Sequence, residues 1–386
     1  MRSTNAHGQG QTARTHRWAR SLAPTALNEP LIRRGKLGRA QTSCFELAET
    51  RGRERKFRAG VVGCKTTQDR LTFLMMAVGV LHEKGFRLSS VRNVEQKHVA
   101  VLIEWLVDRR YANASRATYL NHLRWWVHAV GKPHLERYIL KEGARIHPQV
   151  CRSYIARYDK SLAPTGVSFD EMFGRVRAID ERVAACLLLM NTFGLRTMEA
   201  WHMRPWKVHD KKGRITIVYG TKGGRRRTFR RPLVSKELEQ AVLDHARAFA
   251  IHRSDSMIPP GSTPQQARAH FYYVMRKAGF TRKDIQRTPH ALRHGVALDI
   301  FARRYGGAAP ARGGLCEDAK RYREAQAECA EYMGHRRPDI GCAYNGSRRQ
   351  AARRSARRTA NGTGSQAWID EPTGAIDVAS RHEDAP

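Results

Sequence analysis

The chain has 386 residues, enough for two or three domains that each bury a core. Seventy Lys+Arg against 35 Asp+Glu give a formal charge of +35, which demands a polyanionic partner, nucleic acid being the natural one. No apolar run approaches membrane-spanning length, and seven cysteines scattered from Cys44 to Cys342 without a C-x-x-C pair argue against a disulfide framework or zinc site and fit a reducing cytosol.

Residues 1–60 hold thirteen Lys/Arg and four Asp/Glu, with little helical periodicity before about Phe45, and are expected to form a basic, largely disordered arm. From Thr66 the pattern changes. Leu71, Leu74, Met75, Val78 and Leu81 mark one helix face, which Gly85 ends. Val99, Leu102, Ile103 and Leu106 predict a second helix, and Tyr119, Leu120, Leu123 and Val127 a third before Gly131. These make a helical bundle over 61–145, with Arg116, Arg124 and Lys132 as candidate phosphate contacts. Trp125 and Trp126 interleave with the stripe and are expected to pack rather than stack on bases. Pro148 and Pro164 bracket a turn-prone stretch read as a linker over 146–166.

Beyond it, Ser168 caps one helix, and Asp180 begins another that Gly194 stops. Arg214 to Tyr219 and Thr228 to Leu233 read as a β-hairpin across Gly223-Gly224. Ser235 opens a helix toward Ile251, and Thr263-Pro264-Gln265-Gln266 supplies cap, first-turn proline and capping-box glutamine for the next. Thr288 is expected to cap a helix starting at Pro289 and running to Tyr305. Gly306 to Gly314 reads as a flexible loop, and Pro338 starts a short helix. The fold class is therefore mainly α with a small β-hairpin sheet, α+β, over 167–350, followed by a tail over 351–386 that is basic, then acidic.

The chemistry concentrates in three clusters. His290 and Arg293, three apart, project from one face of a helix's first turn, where free N–H groups also favour an anion. Gly334-His335 precedes Tyr344, which lies nine residues after the histidine. Upstream, Gly194-Leu195-Arg196-Thr197-Met198-Glu199-Ala200 follows the apolar run Val183 to Met190.

In this order the clusters resemble the tyrosine recombinases, the phage integrase family. That family carries a G-L-R-x-x-E-[LA] turn, an H-x-L-R-H helix and a G-H box with tyrosine nine residues on. It also has a lysine on a hairpin between the first two boxes; Thr221-Lys222-Gly223-Gly224 looks like that turn, with threonine for the usual first glycine. The 42 residues from Arg293 to His335 exceed the family's spacing, which places an insertion there.

The resemblance implies a helical SAM-like core-binding domain at 61–145 and a catalytic domain at 167–350. Arg196 and Arg293 would neutralise the non-bridging oxygens of a phosphodiester while Tyr344 attacks. A tyrosine, with an ordinary pKa near 10, needs help to lose its proton, and His290 is the candidate base. His335 would donate a hydrogen bond to the phosphate, Lys222 would protonate the leaving 5′ oxygen, and Glu199 would orient Arg196. Neither a metal nor a nucleotide cofactor is expected. The expected partner is double-stranded DNA, bound by a homotetramer on two duplexes with accessory DNA-bending or directionality factors, in the cytoplasm at the nucleoid and without a membrane. Two alternatives remain: a type IB topoisomerase, which reseals the same strand, and a catalytically silent DNA-binding protein.

Overall fold

The computed structural model describes residues 38–49, 64–109, 111–150, 154–210, 212–221, 224, 226–229, 234–335 and 337–360. The chain divides into two compact units, the second running from Tyr154 to Gln366.

In the first unit, helices α1 (Gly38–Glu49), α2 (Cys64–Glu83), α3 (Gln96–Asp108), α4 (Asn113–Ala129) and α5 (His134–Val150) share one core. Leu74, Leu81, Val99, Ile103, Leu123, Trp126 and Ile139 fill it. Full burial of each such side chain is worth roughly 1.5–3 kcal/mol, which sets the packing. Trp126 satisfies its indole N–H on the Val91 carbonyl (2.9 Å), and Arg70 lies 4.2 Å over the Trp125 ring, so both tryptophans pack internally.

Three features differ from the sequence reading. Helix α1 lies inside the stretch read as an arm: Ala40, Cys44, Leu47 and Ala48 recur at helical spacing and are buried, and the Ser43 hydroxyl accepts the Val91 N–H (3.0 Å). Helix α5 continues to Val150, past Gly143 and through Pro148, where the sequence suggested a linker. The cations offered as phosphate contacts are engaged within the protein: Arg124 pairs with Glu136, Arg116 donates to the Arg109 carbonyl (3.0 Å), and Lys132 donates to that of Val94 (2.9 Å). The rest of residues 1–60, and 361–386 of the tail, lie outside the described residues.

The second unit is built around α7 (Glu181–Phe193), whose Val183, Ala184, Leu187, Leu189, Met190 and Phe193 are all buried. A helix apolar on every side must be enclosed, and α6 (Phe169–Arg177), α8 (Thr197–His202), α9 (Lys236–Arg247) and α12 (His290–Tyr305) pack on it. Asp180 caps α7 through its carboxylate, which accepts the Val183 N–H (2.8 Å). At its other end Gly194 turns left-handed (φ 58°); a Cβ there would meet Val296 and Met333 at 3.0 and 3.2 Å, so both conformation and space require glycine.

Strands β1 (Ile215–Ile217) and β2 (Arg227–Phe229) pair antiparallel, with Ile217 opposite Arg227 and Ile215 opposite Phe229. Arg227 and Phe229 face inward while Thr228 between them is less buried, the alternation of a strand with one face on the core. Helices α10 (Pro264–Lys277) and α11 (Arg282–Ile285) lead to α12, against which α13 (Ala319–Tyr332) and α14 (Cys342–Asn345) pack. Thr288 does not cap α12 through its side chain. Pro289 takes the cap position with a helical φ of −53°, and the Thr288 carbonyl accepts the Ala291 N–H (2.8 Å).

The Gly306–Gly314 stretch is also more than a surface loop. Ala309 and Ala311 are buried with Phe301, Leu298 and Ala325 in a small second core, which the short side chains allow the backbone to approach. Arg312 locks this turn to Asp159 and Asp299 (2.8 Å each), and Arg354 of α15 (Arg348–Ala360) donates to the Pro310 carbonyl (3.0 Å).

Candidate active site

The turn after Gly194 places Arg196 at the head of α8. Its backbone N–H donates to Glu199 Oε2 (3.0 Å) and its guanidinium pairs with Oε1, a fixed geometry that three-residue helical spacing provides. Glu199 is fully buried. Burial alone would raise its pKa, but Arg227, Arg293 and Arg196 together outweigh it and hold the carboxyl below the usual range. Arg227 Nη1 donates to Oε2 at 2.9 Å, and Arg293 Nη1 lies 3.6 Å from the same oxygen. Three guanidinium groups therefore converge on one carboxylate, leaving a surplus of positive charge.

Arg293, on the first turn of α12, has no exposed surface. Its Nη1 donates to the Gly194 carbonyl, its Nη2 to the Met333 carbonyl (2.6 Å) and its Nε to Tyr344 Oη (3.2 Å). The Gly334 turn brings His335 to the same phenol, with Nε2 3.4 Å from Oη. Helix α14, four residues long and packed on α12, carries Tyr344 into this position, where it is 6% exposed.

The His290 and His294 rings lie 6.5 and 4.9 Å from that of Tyr344. Burial, then Arg293 and Arg196, pull His290 down to about 4; burial, then His290, Lys160 and Arg293, pull His294 down to about 3. Both imidazoles are thus neutral near pH 7, and burial and the neighbouring cations disfavour their protonation. A groove lined by Arg226, Thr228, Glu331, Gly334 and His335 opens at the turn that carries His335.

The structure thus brings together Arg196, Glu199, His290, Arg293, His335 and Tyr344. Lys222 lies outside the described residues. Gly220, two positions earlier, runs so close to α8 that a Cβ on it would sit 2.1 Å from the Met198 carbonyl oxygen, so the hairpin passes next to the Arg196 turn.

Residues 157–299 match the family described as Integrase. Over that stretch the chain is similar to the integrase family. The matched stretch contains Arg196, Glu199, His290 and Arg293 and ends before His335 and Tyr344. No curated protein sequence matches the chain. Among solved structures it is similar to a XerH site-specific recombinase bound to palindromic difH substrate in a post-cleavage complex, at 14% identity and a TM-score of 0.47, over 85% of this chain and 95% of that one. It is also similar to a XerA recombinase at 14% identity and a TM-score of 0.32, over 84% of this chain and all of that one.

Two residues of this cluster were not singled out in the sequence reading. His294, nearest in ring distance to Tyr344, has a buried Nδ1 without a hydrogen-bond partner among the described residues; its place one turn after His290 was the available signal. Arg227 sits in a run of three arginines that reads as a solvated face, and only strand alternation opposite Ile217 marks it as inward.

Proposed function

We propose that this tyrosine recombinase cuts and rejoins DNA through a covalent 3′-phosphotyrosine formed on Tyr344. The observation that carries this reading is Tyr344 Oη within reach of both Arg293 Nε (3.2 Å) and His335 Nε2 (3.4 Å), beside two neutral imidazoles. As Oη attacks phosphorus, its proton passes to a neutral histidine, with His290 the assigned base. Arg196, a quarter exposed, meets the non-bridging oxygens, and Arg293 Nε follows the charge from the phenol oxygen onto the phosphate. The bond from phosphorus to the 5′ oxygen breaks as Lys222 gives that oxygen a proton. The phosphotyrosine conserves the energy of the broken linkage, so the 5′ hydroxyl of a partner strand can attack it and restore a phosphodiester without a nucleotide cofactor.

The first unit supplies DNA grip as a core-binding domain, four protomers act on two duplexes, and the outcome is integration or excision of a mobile element. The net charge of +35 supports the polyanion partner. A nicked suicide substrate, whose 5′ fragment diffuses away after cleavage, tests the reading by trapping the adduct. Wild type should accumulate it and Tyr344→Phe should not; an adduct formed equally by both contradicts the assignment.

A further inference from the structure

We propose that Arg227 is a positioning residue of this site: it holds the Glu199 carboxylate in the orientation that steers Arg196, and ties the turn before His335 to the same anchor. The inference rests on the recombinase reading and deepens it.

The Arg227 side chain is 2% exposed and does not contact Tyr344, so it is not a group that meets substrate. Its fork is divided. Nη1 donates to Glu199 Oε2 and Nη2 to the Phe193 carbonyl, both at 2.9 Å, which joins strand β2 to the end of α7 and to the first turn of α8. The guanidinium carbon lies 4.7 Å from the Phe229 ring centroid and 5.7 Å from that of Tyr332, so aromatic faces fix its plane. Its stem passes beneath Gly334, where a Cβ would come within 2.9 Å of Arg227 Cδ.

Glu199 Oε2 therefore has two donors besides the distant Arg293, the Arg196 N–H and Arg227, while Oε1 is left to the Arg196 guanidinium. Remove Arg227 and Oε2 loses its strongest partner; the carboxylate can then turn to recapture Arg293, and Arg196 loses the orientation it needs toward a phosphate. A lysine at 227 keeps the charge but cannot span Glu199 and the Phe193 carbonyl together, because it lacks the planar fork.

The test compares single-turnover cleavage by wild type, Arg227→Met and Arg227→Lys on two suicide substrates. One has an ordinary scissile phosphate; the other has a methylphosphonate, in which a neutral methyl replaces one charged oxygen and lowers the demand on Arg196. Both variants should bind DNA as wild type does and cleave the phosphate about 10- to 100-fold more slowly, the usual scale for a supporting partner of a reactive group. On the methylphosphonate their rates should approach that of wild type. If the Met variant fails to fold, the Lys variant carries the comparison. A purely structural role would lower both substrates' rates equally, and that result, or wild-type cleavage of the phosphate by both variants, overturns the inference. A wild-type protein that leaves no tyrosine adduct on either substrate overturns the recombinase reading and this inference together.

Discussion

Arg293 donates to the Tyr344 phenol oxygen through Nε while the Gly194 and Met333 carbonyls hold the other two nitrogens, so cation and nucleophile are fixed as one unit. The two site arginines should therefore respond differently to truncation. Arg293→Ala leaves buried carbonyls and Glu199 short of a partner and should destabilise the protein by about 3–5 kcal/mol, the scale for breaking a buried charged pair. Arg196→Ala takes the partner of Oε1 from the buried Glu199 and should cost about 1–3 kcal/mol, less than Arg293→Ala, yet lower cleavage by roughly 100- to 1000-fold. Binding should stay close to wild type, since the many other cations carry affinity. Equal destabilisation by the two changes would show that burial does not separate them.

For Lys222 the decisive substrate has sulfur in place of the bridging 5′ oxygen, a leaving group that hardly needs a proton. Lys222→Ala should fail on ordinary DNA and cleave the thio substrate nearly as well as wild type. Lys212→Ala and Arg226→Ala should show only salt-sensitive binding losses. Rescue of one of these neighbours instead would move the general acid along the hairpin.

The buried imidazoles set a pH dependence. An unfolded histidine titrates near 6.5, whereas His290 and His294 are held at about 4 and about 3. Between those values the unfolded chain binds protons that the folded one does not, so stability is full above pH 6.5 and is lost as pH falls toward 4. His294→Gln should flatten that decline in urea midpoints measured at pH 7 and pH 5. An unchanged slope would mean that the imidazole is solvated.

Much of this site was legible because its residues stand at intervals set by one helix turn or one tight loop: Arg196 to Glu199, His290 to Arg293, and His335 to Tyr344. Such spacings survive in a single sequence. Arg227 did not show itself because its partners, Glu199, Phe193 and Tyr332, come from three distant segments, and a run of arginines has no period that marks the inward one. The same limit hid α1, whose stripe of Ala40, Cys44, Leu47 and Ala48 is short and weakly apolar, and the buried course of Ala309 and Ala311, whose small side chains read as a flexible loop.

Gly334 offers a check on the packing around Arg227. It adopts φ +70° with Arg227 Cδ in the way of a Cβ, whereas Gly306, at φ +83°, has open space. Both alanine substitutions incur left-handed strain of about 1–2 kcal/mol. Gly334→Ala should cost measurably more than Gly306→Ala in urea unfolding and should also slow cleavage. Equal costs would mean that the Arg227 stem yields freely.

The central claim is that Tyr344 becomes joined to DNA. The nearest rival is Tyr332, whose hydroxyl is buried without a hydrogen-bond partner among the described residues and whose pKa is pushed up by that burial, a poor setting for a nucleophile. Protease digestion and mass spectrometry of the adduct trapped on a nicked suicide substrate decide between them. The account predicts a 3′-phosphorylated oligonucleotide on the peptide that contains Tyr344, and no adduct from Tyr344→Phe. An adduct mapped to Tyr332, or one that persists in Tyr344→Phe, would contradict it.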